Sequence, residues 1–330
     1  MKEAGIEVLD CSYPKRNVFR YVIGFWKFLL YKNRCDIIFV GFFGHFIVPI
    51  VRLFTRKKII FDAFLSMYQT VVVDRKVAKP QGIIAGISKF MDRLSCQLTD
   101  KVFLDTNQHI EYFVREYKIE KYKFYRLLLG SDNSVWYPRS GTEAEDFIIH
   151  FHGEFQPLHG VEYIIEAAKK LPDIKFQIIG KGKTLHSCRE LAKRLNLNNI
   201  NFYPQVRYEE LPEYLLKASI CLGIFGGTQK TRLVIPHKVY EVLAMGKPLI
   251  TADTPAAREI LVNGENAVLC RPADPQSLAE SILMLKNDPI LRTKIAQNGN
   301  KLFQDRCTPM IIGKQILKVA SKIKAAQHFS

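Results

Sequence analysis

Apolar runs rich in β-branched residues alternate with segments of helical period along most of the chain, the pattern of parallel α/β sheets. In the first half, Ile6 to Asp10, Ile37 to Gly41, Lys58 to Asp62 and Lys101 to Leu104 read as strands. The 3.6-residue period predicts helices over Val18 to Tyr31, Phe46 to Phe54, Gly86 to Leu98 and Gln108 to Tyr117. A turn-rich, apolar-poor gap follows at Ser131-Asp132-Asn133-Ser134 and Pro138-Arg139-Ser140-Gly141-Thr142, the best linker in the chain. Beyond it, strands fit Phe147 to His152, Lys175 to Gly180, Ile200 to Tyr203, Ile220 to Ile224, Pro248 to Ala252 and Ala267 to Cys270. Helices fit Val161 to Leu171, Leu185 to Leu195, Tyr208 to Ala218, His237 to Ala244, Ala256 to Val262 and Pro275 to Lys286. The tail from Leu291 to Ala326 is helical, broken at Pro309.

A prior of about 150 residues per domain fits two domains in 330 residues. The expected division is an N-terminal Rossmann-like domain over 1–138, a complete doubly wound domain over 147–304, and a C-terminal helix over 305–330 that packs back on the first domain. Two open α/β domains facing each other across a cleft bind ligands at the carboxyl ends of their strands.

Composition narrows the setting. No apolar stretch reaches the ~18 residues that cross a bilayer. The start, Met1-Lys2-Glu3-Ala4-Gly5, does not lead into the apolar run of a secretory signal. Seven dispersed cysteines without a C-x-x-C spacing argue against a disulfide framework or a zinc site, so a cytoplasmic location is expected.

The net charge of +16 is unevenly spread. Residues 11–60 hold Lys15, Arg16, Arg20, Lys27, Lys32, Arg34, Arg52, Arg56, Lys57 and Lys58 against Asp36 alone, interleaved with aromatics such as Phe25, Trp26 and Phe28. Such a stretch suits either an anionic membrane surface or the solvated face of a core helix. No zinc-finger, helix-turn-helix or RNA-recognition pattern is present, so no nucleic-acid partner is expected.

The densest chemistry lies between Thr231 and Pro248. After a strand and the Gly226-Gly227 turn, a helix opens near Pro236, and its free N–H groups form an anion site beside Lys238 and Arg232. Glu241, one helical turn further, is placed to accept hydrogen bonds from the two hydroxyls of a ribose; the alternative is a carboxylate solvated on the helix surface.

"PHKVYEVLAMGKPLI" resembles the donor-site segment of family 4 glycosyltransferases (glycosyl transferases group 1), retaining enzymes of the GT-B fold that use nucleotide sugars. In that family two glutamates stand eight positions apart. Glu241 matches the second, while Leu233 occupies the place of the first, as in a branch reading "PNKxxEYxAxGKP" with a lysine where Lys238 stands. "FHGEFQPLHGVEYIIEAAKKL" looks like the first strand, loop and helix of the donor domain, which implies diphosphate contacts at Gly153 and His159. The family's diphosphate-binding Arg and Lys are replaced by Glu154 and His159. Lys238, Arg232 and the helix start at Pro236 and His237 become the better candidates to neutralise the diphosphate, with His159 as a hydrogen-bond donor that could be protonated next to a phosphate. "IIGKGK" matches the family's G-x-G turn at Gly180 and Gly182, and "NINFYPQVRYEELPEYLLKASICLG" the segment beside the nucleobase, near Tyr203, Val206 and Arg207. Glu259 is expected to order a loop.

The resemblance continues into "DIIFVGFFGHFIVPIVRLFTRKKIIFDAFLSMYQTVVVDRK", similar to the acceptor domain. Asp62 stands where members carry a His that touches the donor sugar, so it is a catalytic candidate, or else a turn cap. His45, on a Gly-rich loop, is the second candidate, against the simpler reading of a core histidine. Relatives begin with a strand and Gly-rich loop ahead of the segment that matches Met1 onward, so the first βα unit of the acceptor domain is expected to be missing.

The function this implies is transfer of a sugar, with retention, from a nucleotide-diphosphate donor of UDP or GDP type to a saccharide or lipid-linked hydroxyl, in polysaccharide or glycolipid synthesis. No metal or other cofactor is expected, because the helix start and Lys238 already supply positive charge. Residues 11–60 would dock the protein peripherally on an anionic inner leaflet. A nucleotide-sugar epimerase and a non-catalytic nucleotide-sugar-binding protein share this architecture. A Rossmann dehydrogenase does not fit, since no G-x-G-x-x-G follows a strand.

Overall fold

The computed structural model describes residues 7–12, 19–139 and 146–327. Its first half begins with α1 (Phe19–Tyr31), β1 (Ile37–Val40), α2 (Ile47–Leu53), β2 (Lys58–Asp62), α3 (Ile83–Leu98), β3 (Lys101–Leu104), α4 (Asn107–Tyr117) and β4 (Phe124–Arg126). The four strands are parallel and lie side by side in chain order. Strand alternation assigns the two faces of this sheet. Ile59, Phe61, Val102 and Leu104 pack with Phe28, Val48, Val51, Cys96 and Phe113 of the four helices. Ile60 and Phe103 point the other way, against Val319 and Ile323 of the C-terminal helix.

The second half carries β5 (Ile148–Glu154), α5 (Val161–Lys169), β6 (Lys175–Lys181), α6 (Leu185–Arg194), β7 (Ile200–Tyr203), α7 (Leu211–Leu216), β8 (Ile220–Leu222), α8 (His237–Ala244), β9 (Leu249–Ala252) and β10 (Val268–Cys270). Three helices follow: α9 (Pro275–Asn287), α10 (Pro289–Arg306) and α11 (Pro309–Gln327), the helix that crosses to the first sheet. The six strands are all parallel and run β7-β6-β5-β8-β9-β10 in space. Chain order therefore reverses between β5 and β8. In an open parallel sheet a crevice opens at such a reversal, beyond the carboxyl ends of the two strands.

Several expectations need correction. Residues 7–12 form no strand; Asp10 instead accepts hydrogen bonds from the backbone N–H and hydroxyl of Ser12, a local turn that competes with extended pairing. Ile6, Val18 and the 140–142 part of the linker lie outside the described residues. The helix expected over Ala256 to Val262 is only a 3-10 turn at Ala257–Glu259. Gln69–Asp74 forms a π-helical turn where no element was expected, and the short edge strand β4 was not anticipated either. Among the described residues no helix is long and apolar enough to cross a membrane.

The two halves are joined by specific polar contacts. Both carboxylate oxygens of Glu259 accept from the open end of α4, at the N–H groups of Asn107 and Gln108, and one also accepts from Arg126. This places a negative charge on a helix N-terminus, where it is stabilised. Thr106 caps α4 through the N–H of His109 and donates its own hydroxyl to the carbonyl of Leu233, while Asp105 accepts from the N–H of Ile235. The side chain of Leu233 is buried in the core of the first half. Near the switch point, Asp74 accepts from the N–H of Leu158, and Arg75 pairs with Glu154 at 3.2 Å.

Beside that switch point β5 pairs with β6, and Gly153 faces Gly180. Gly180 has φ +151°, and a Cβ there would fall 1.9 Å from the carbonyl oxygen of Gly153. Gly180→Ala is therefore expected to cost about 2–3 kcal/mol, through strain and a clash that the paired strands cannot relieve. Urea unfolding checks this, and an unchanged midpoint would contradict the packing described.

Candidate active site

The crevice is built mainly from β5 and α8. In a strand buried on both faces, β5 places two histidines, His150 and His152, on one side. His152 donates from Nε2 to one oxygen of Glu241 at 2.7 Å, and His237 Nδ1 holds the other oxygen at 2.8 Å. Trp136, fully buried, stacks on His152 with ring centroids 6.0 Å apart and an interplanar angle of 19°. Glu241 is thus a buried carboxylate and not a solvated one. Burial opposes its charge, but the hydrogen bonds from His152 and His237 prevail and bring its pKa down to about 2. His237 pays a burial penalty on its own charge too, yet Glu241 outweighs it and raises its pKa.

Lys238 is the second buried group. Its Nζ lies 3.6 Å from the centroid of the Phe151 ring and has no hydrogen-bond partner among the described residues. A Cβ on Gly153 would fall 2.6 Å from that nitrogen, so only glycine leaves the amine its place. Burial pushes the Lys238 pKa well below its ordinary value despite the nearby Glu241. Pro236 occupies the N-cap position of α8, ahead of the helical turns and not inside them, and no side chain caps this helix. Its first N–H groups and an unpartnered amine therefore converge where an anion is favoured.

The other expected residues divide. His159 lies beside Lys238, and its Nδ1 donates to the carbonyl of Glu154. Burial and Lys238 hold its pKa well below the ordinary value in the ligand-free protein, and the negative charge of a bound phosphate would work against both. Gly180 and Gly182 belong to the β5–β6 crossing, where a Cβ on Gly182 would strike the Phe155 backbone at 2.6 Å. Arg232 is exposed at the end of the 3-10 turn Lys230–Arg232. Tyr203, edge-on to Tyr214, ends the edge strand β7, two strands from β5, and Val206 and Arg207, which pairs with Glu210, follow it. His45 is a core residue of the first half, fully buried, edge-on to Phe61 and 3.2 Å from Asp92.

Asp62 ends β2 and is half-buried, with no hydrogen-bond partner among the described residues. Burial, together with the charge of Asp105, raises its pKa to about 6. Asp105 itself is fully engaged, by His109 at 3.0 Å and the N–H of Ile235. A carboxylate left unpaired at a strand's carboxyl end is what a positioned acid or base requires.

Sequence reasoning missed His150, His152, Trp136 and Lys230. The two histidines carried a signal, polar residues two apart in an otherwise apolar strand. Lys230 carried none: it reaches across to Thr70 at 3.1 Å and Asp74 at 3.6 Å, contacts that only the docked halves create.

The family model described as glycosyl transferases group 1 matches residues 135–302, just over half of the chain. An uncharacterised glycosyltransferase of Methanocaldococcus jannaschii is 28% identical over 158 residues, 46% of this chain and 41% of that protein. A capsular polysaccharide biosynthesis glycosyltransferase of Staphylococcus aureus is 33% identical over 76 residues, 23% of this chain and 20% of that protein. The chain thus spans less than half the length of either relative. Among solved structures, the sucrose-phosphate synthase of Thermosynechococcus elongatus superposes with TM-score 0.77 at 18% identity, covering 95% of this chain and 81% of that one. Anabaena HepE in complex with UDP and glucose superposes with TM-score 0.73 at 16% identity, covering 94% and 84%.

Asp62 yields a prediction with a definite sign. Below its unfolded-state pKa the carboxyl is protonated in both states and costs nothing. As pH rises towards about 6, the unfolded chain releases the proton first and stability falls. At pH 7.5 Asp62→Asn should therefore be more stable than the parent by about 2–3 kcal/mol, a rise in Tm of a few degrees. The gap should close as pH falls to 4, and a variant no more stable at pH 7.5 would contradict this view of Asp62.

Proposed function

We propose that this chain, which belongs to the glycosyl transferases group 1 family and has the GT-B fold, transfers a sugar from a nucleotide-diphosphate donor to a hydroxyl acceptor with retention of configuration. One observation carries the reading: the buried, unpartnered amine of Lys238 over Gly153, beside the uncapped start of α8. A buried amine without a partner is costly unless a ligand supplies the counter-charge. A diphosphate there would be met by Lys238 and the helix N–H groups, and Glu241 would accept from the ribose hydroxyls.

Phosphate is already a competent leaving group, so the protein's task is to hold it and absorb its developing charge. Lys238 and α8 do so without calling on a metal ion. Asp62, at the end of a strand of the facing sheet, would hydrogen-bond a sugar hydroxyl or stabilise positive charge at the anomeric carbon. The complex of HepE with UDP and glucose and the capsular polysaccharide relative support a UDP-type donor and a cell-surface glycan product.

Thermal-shift measurements with UDP, GDP and ADP sugars test the reading, because a ligand bound to the native state raises Tm. A shift with one nucleotide series is the expected result, and none with any would overturn it. Nucleotide binding without transfer to any acceptor would favour a binding protein instead. Glu241→Ala should weaken nucleotide affinity about tenfold or more. Lys238→Ala should lower turnover about a hundredfold with a smaller loss of affinity, because charge on the leaving diphosphate grows towards the transition state.

We further propose a peripheral, cytoplasmic-leaflet location. The helices α1, α2 and α3 all pack on one face of the first sheet and turn apolar residues outward: Trp26 is 62% exposed, Leu30 69%, Leu53 82% and Ile83 83%. Lys27, Lys32, Arg34 and Arg56 flank them, the combination that binds anionic headgroups. The protein should sediment with phosphatidylserine-containing liposomes at low salt and be released at high salt. Failure to sediment would remove the membrane from the account.

A further inference from the structure

Behind Glu241 runs a file of buried polar side chains that the proposed chemistry does not itself use. His152 Nδ1 lies 3.0 Å from His150 Nε2, and His150 Nδ1 lies 2.8 Å from the amide nitrogen of Gln177, its in-register partner on β6. The same amide nitrogen donates to the carbonyl of Tyr214 at 3.4 Å. All three side chains are buried.

Both ends of this file can be occupied in only one way. A backbone carbonyl accepts and never donates, so the Gln177 atom facing Tyr214 must be the NH2 group, and His150 Nδ1 must be the acceptor of its other N–H. His150 then carries its proton on Nε2 and donates to His152 Nδ1, and His152 carries its proton on Nε2 and donates to Glu241. At the far end an ionised carboxylate demands that same direction. Each ring nitrogen of His150 and His152, and both N–H groups of the Gln177 amide, then has a partner, as buried polar atoms require.

We propose that Gln177 and His150 are positioning residues that set the tautomer of His152, so that it always presents an N–H to Glu241 and keeps that carboxylate ionised and aimed at the ligand ribose. The part about ribose rests on the nucleotide reading above; the direction of the relay does not. Other titratable groups face the relay and must be separated from it. His237 on α8, Lys238 beside it and Tyr208 from the loop after β7 act on Glu241, Lys238 also acts on His150, and His159 after β5 faces His152. Burial, reinforced by His152, holds the His150 pKa well below its ordinary value, in keeping with a neutral ring.

Gln177→Glu is the informative variant, because it keeps the shape and removes the donor. At low pH the counter-charge of the new carboxylate lets His150 hold both protons against its burial, and the relay keeps its direction. At higher pH His150 holds its proton on Nδ1, the order of donors reverses, and His152 turns a bare nitrogen towards Glu241. Affinity for UDP or GDP in the variant should then fall about tenfold between pH 6 and pH 8 relative to the parent, in which His237, Lys238 and Tyr208 titrate equally. A variant that follows the parent's pH profile would overturn the positioning role, since packing alone is unchanged.

Nitrogen-15 histidine spectra of the nucleotide-free parent provide the second readout, independent of whether the variant folds. His150 and His152 are both expected as Nε2–H tautomers. A proton on Nδ1 of either ring, or two protons on either, would overturn the relay. If the parent bound neither UDP nor GDP, the nucleotide reading would fail while the tautomer spectrum still decided the relay.

Discussion

A carboxylate and an amine in the same low-dielectric crevice, those of Glu241 and Lys238, are the constraint to which the rest of this structure answers. Each costs several kcal/mol to desolvate unless something nearby compensates. For Glu241 the compensation is internal, from His152 on β5 and His237 on its own helix. For Lys238 the protein supplies a ring face and the negative charge of Glu241, but no hydrogen bond. The asymmetry is the functional content of the site: the carboxylate is held ready, and the amine awaits a partner.

The topology explains why these groups meet. Reversal of strand order between β5 and β8 opens the crevice, and α8, which follows β8, brings its uncapped end to the carboxyl end of β5. Gly153 and Gly180 let the two strands and the amine approach without side chains between them. The facing half is held by Glu259 at the start of α4 and by Leu233, which inserts into the first core. In this sequence, then, the position before α8 that the resemblance assigns to a glutamate serves to dock the halves. The diphosphate-loop position likewise holds Glu154, spent on Arg75 across the cleft.

The sheets were largely legible because their strands are apolar and β-branched, and α8 was legible from the run between Pro236 and Pro248. What escaped had weak local signals. β4 is three residues long and reads Phe-Tyr-Arg, and the turn at Ala257–Glu259 shares its composition with a short helix. The relay escaped for a different reason. His150 and Gln177 sit on different strands, and only parallel pairing in register makes them neighbours. His45 and Asp62 looked alike in sequence as polar residues in apolar surroundings; folding buries the first against Phe61 and leaves the second unpaired at a strand end.

A crystal structure with a bound nucleoside diphosphate tests the central claim most directly. The account places a diphosphate oxygen within hydrogen-bond distance of Lys238 Nζ, at the start of α8, and the ribose hydroxyls on Glu241. A nucleotide bound elsewhere, with Lys238 still seated on the Phe151 ring and unpartnered, would contradict it.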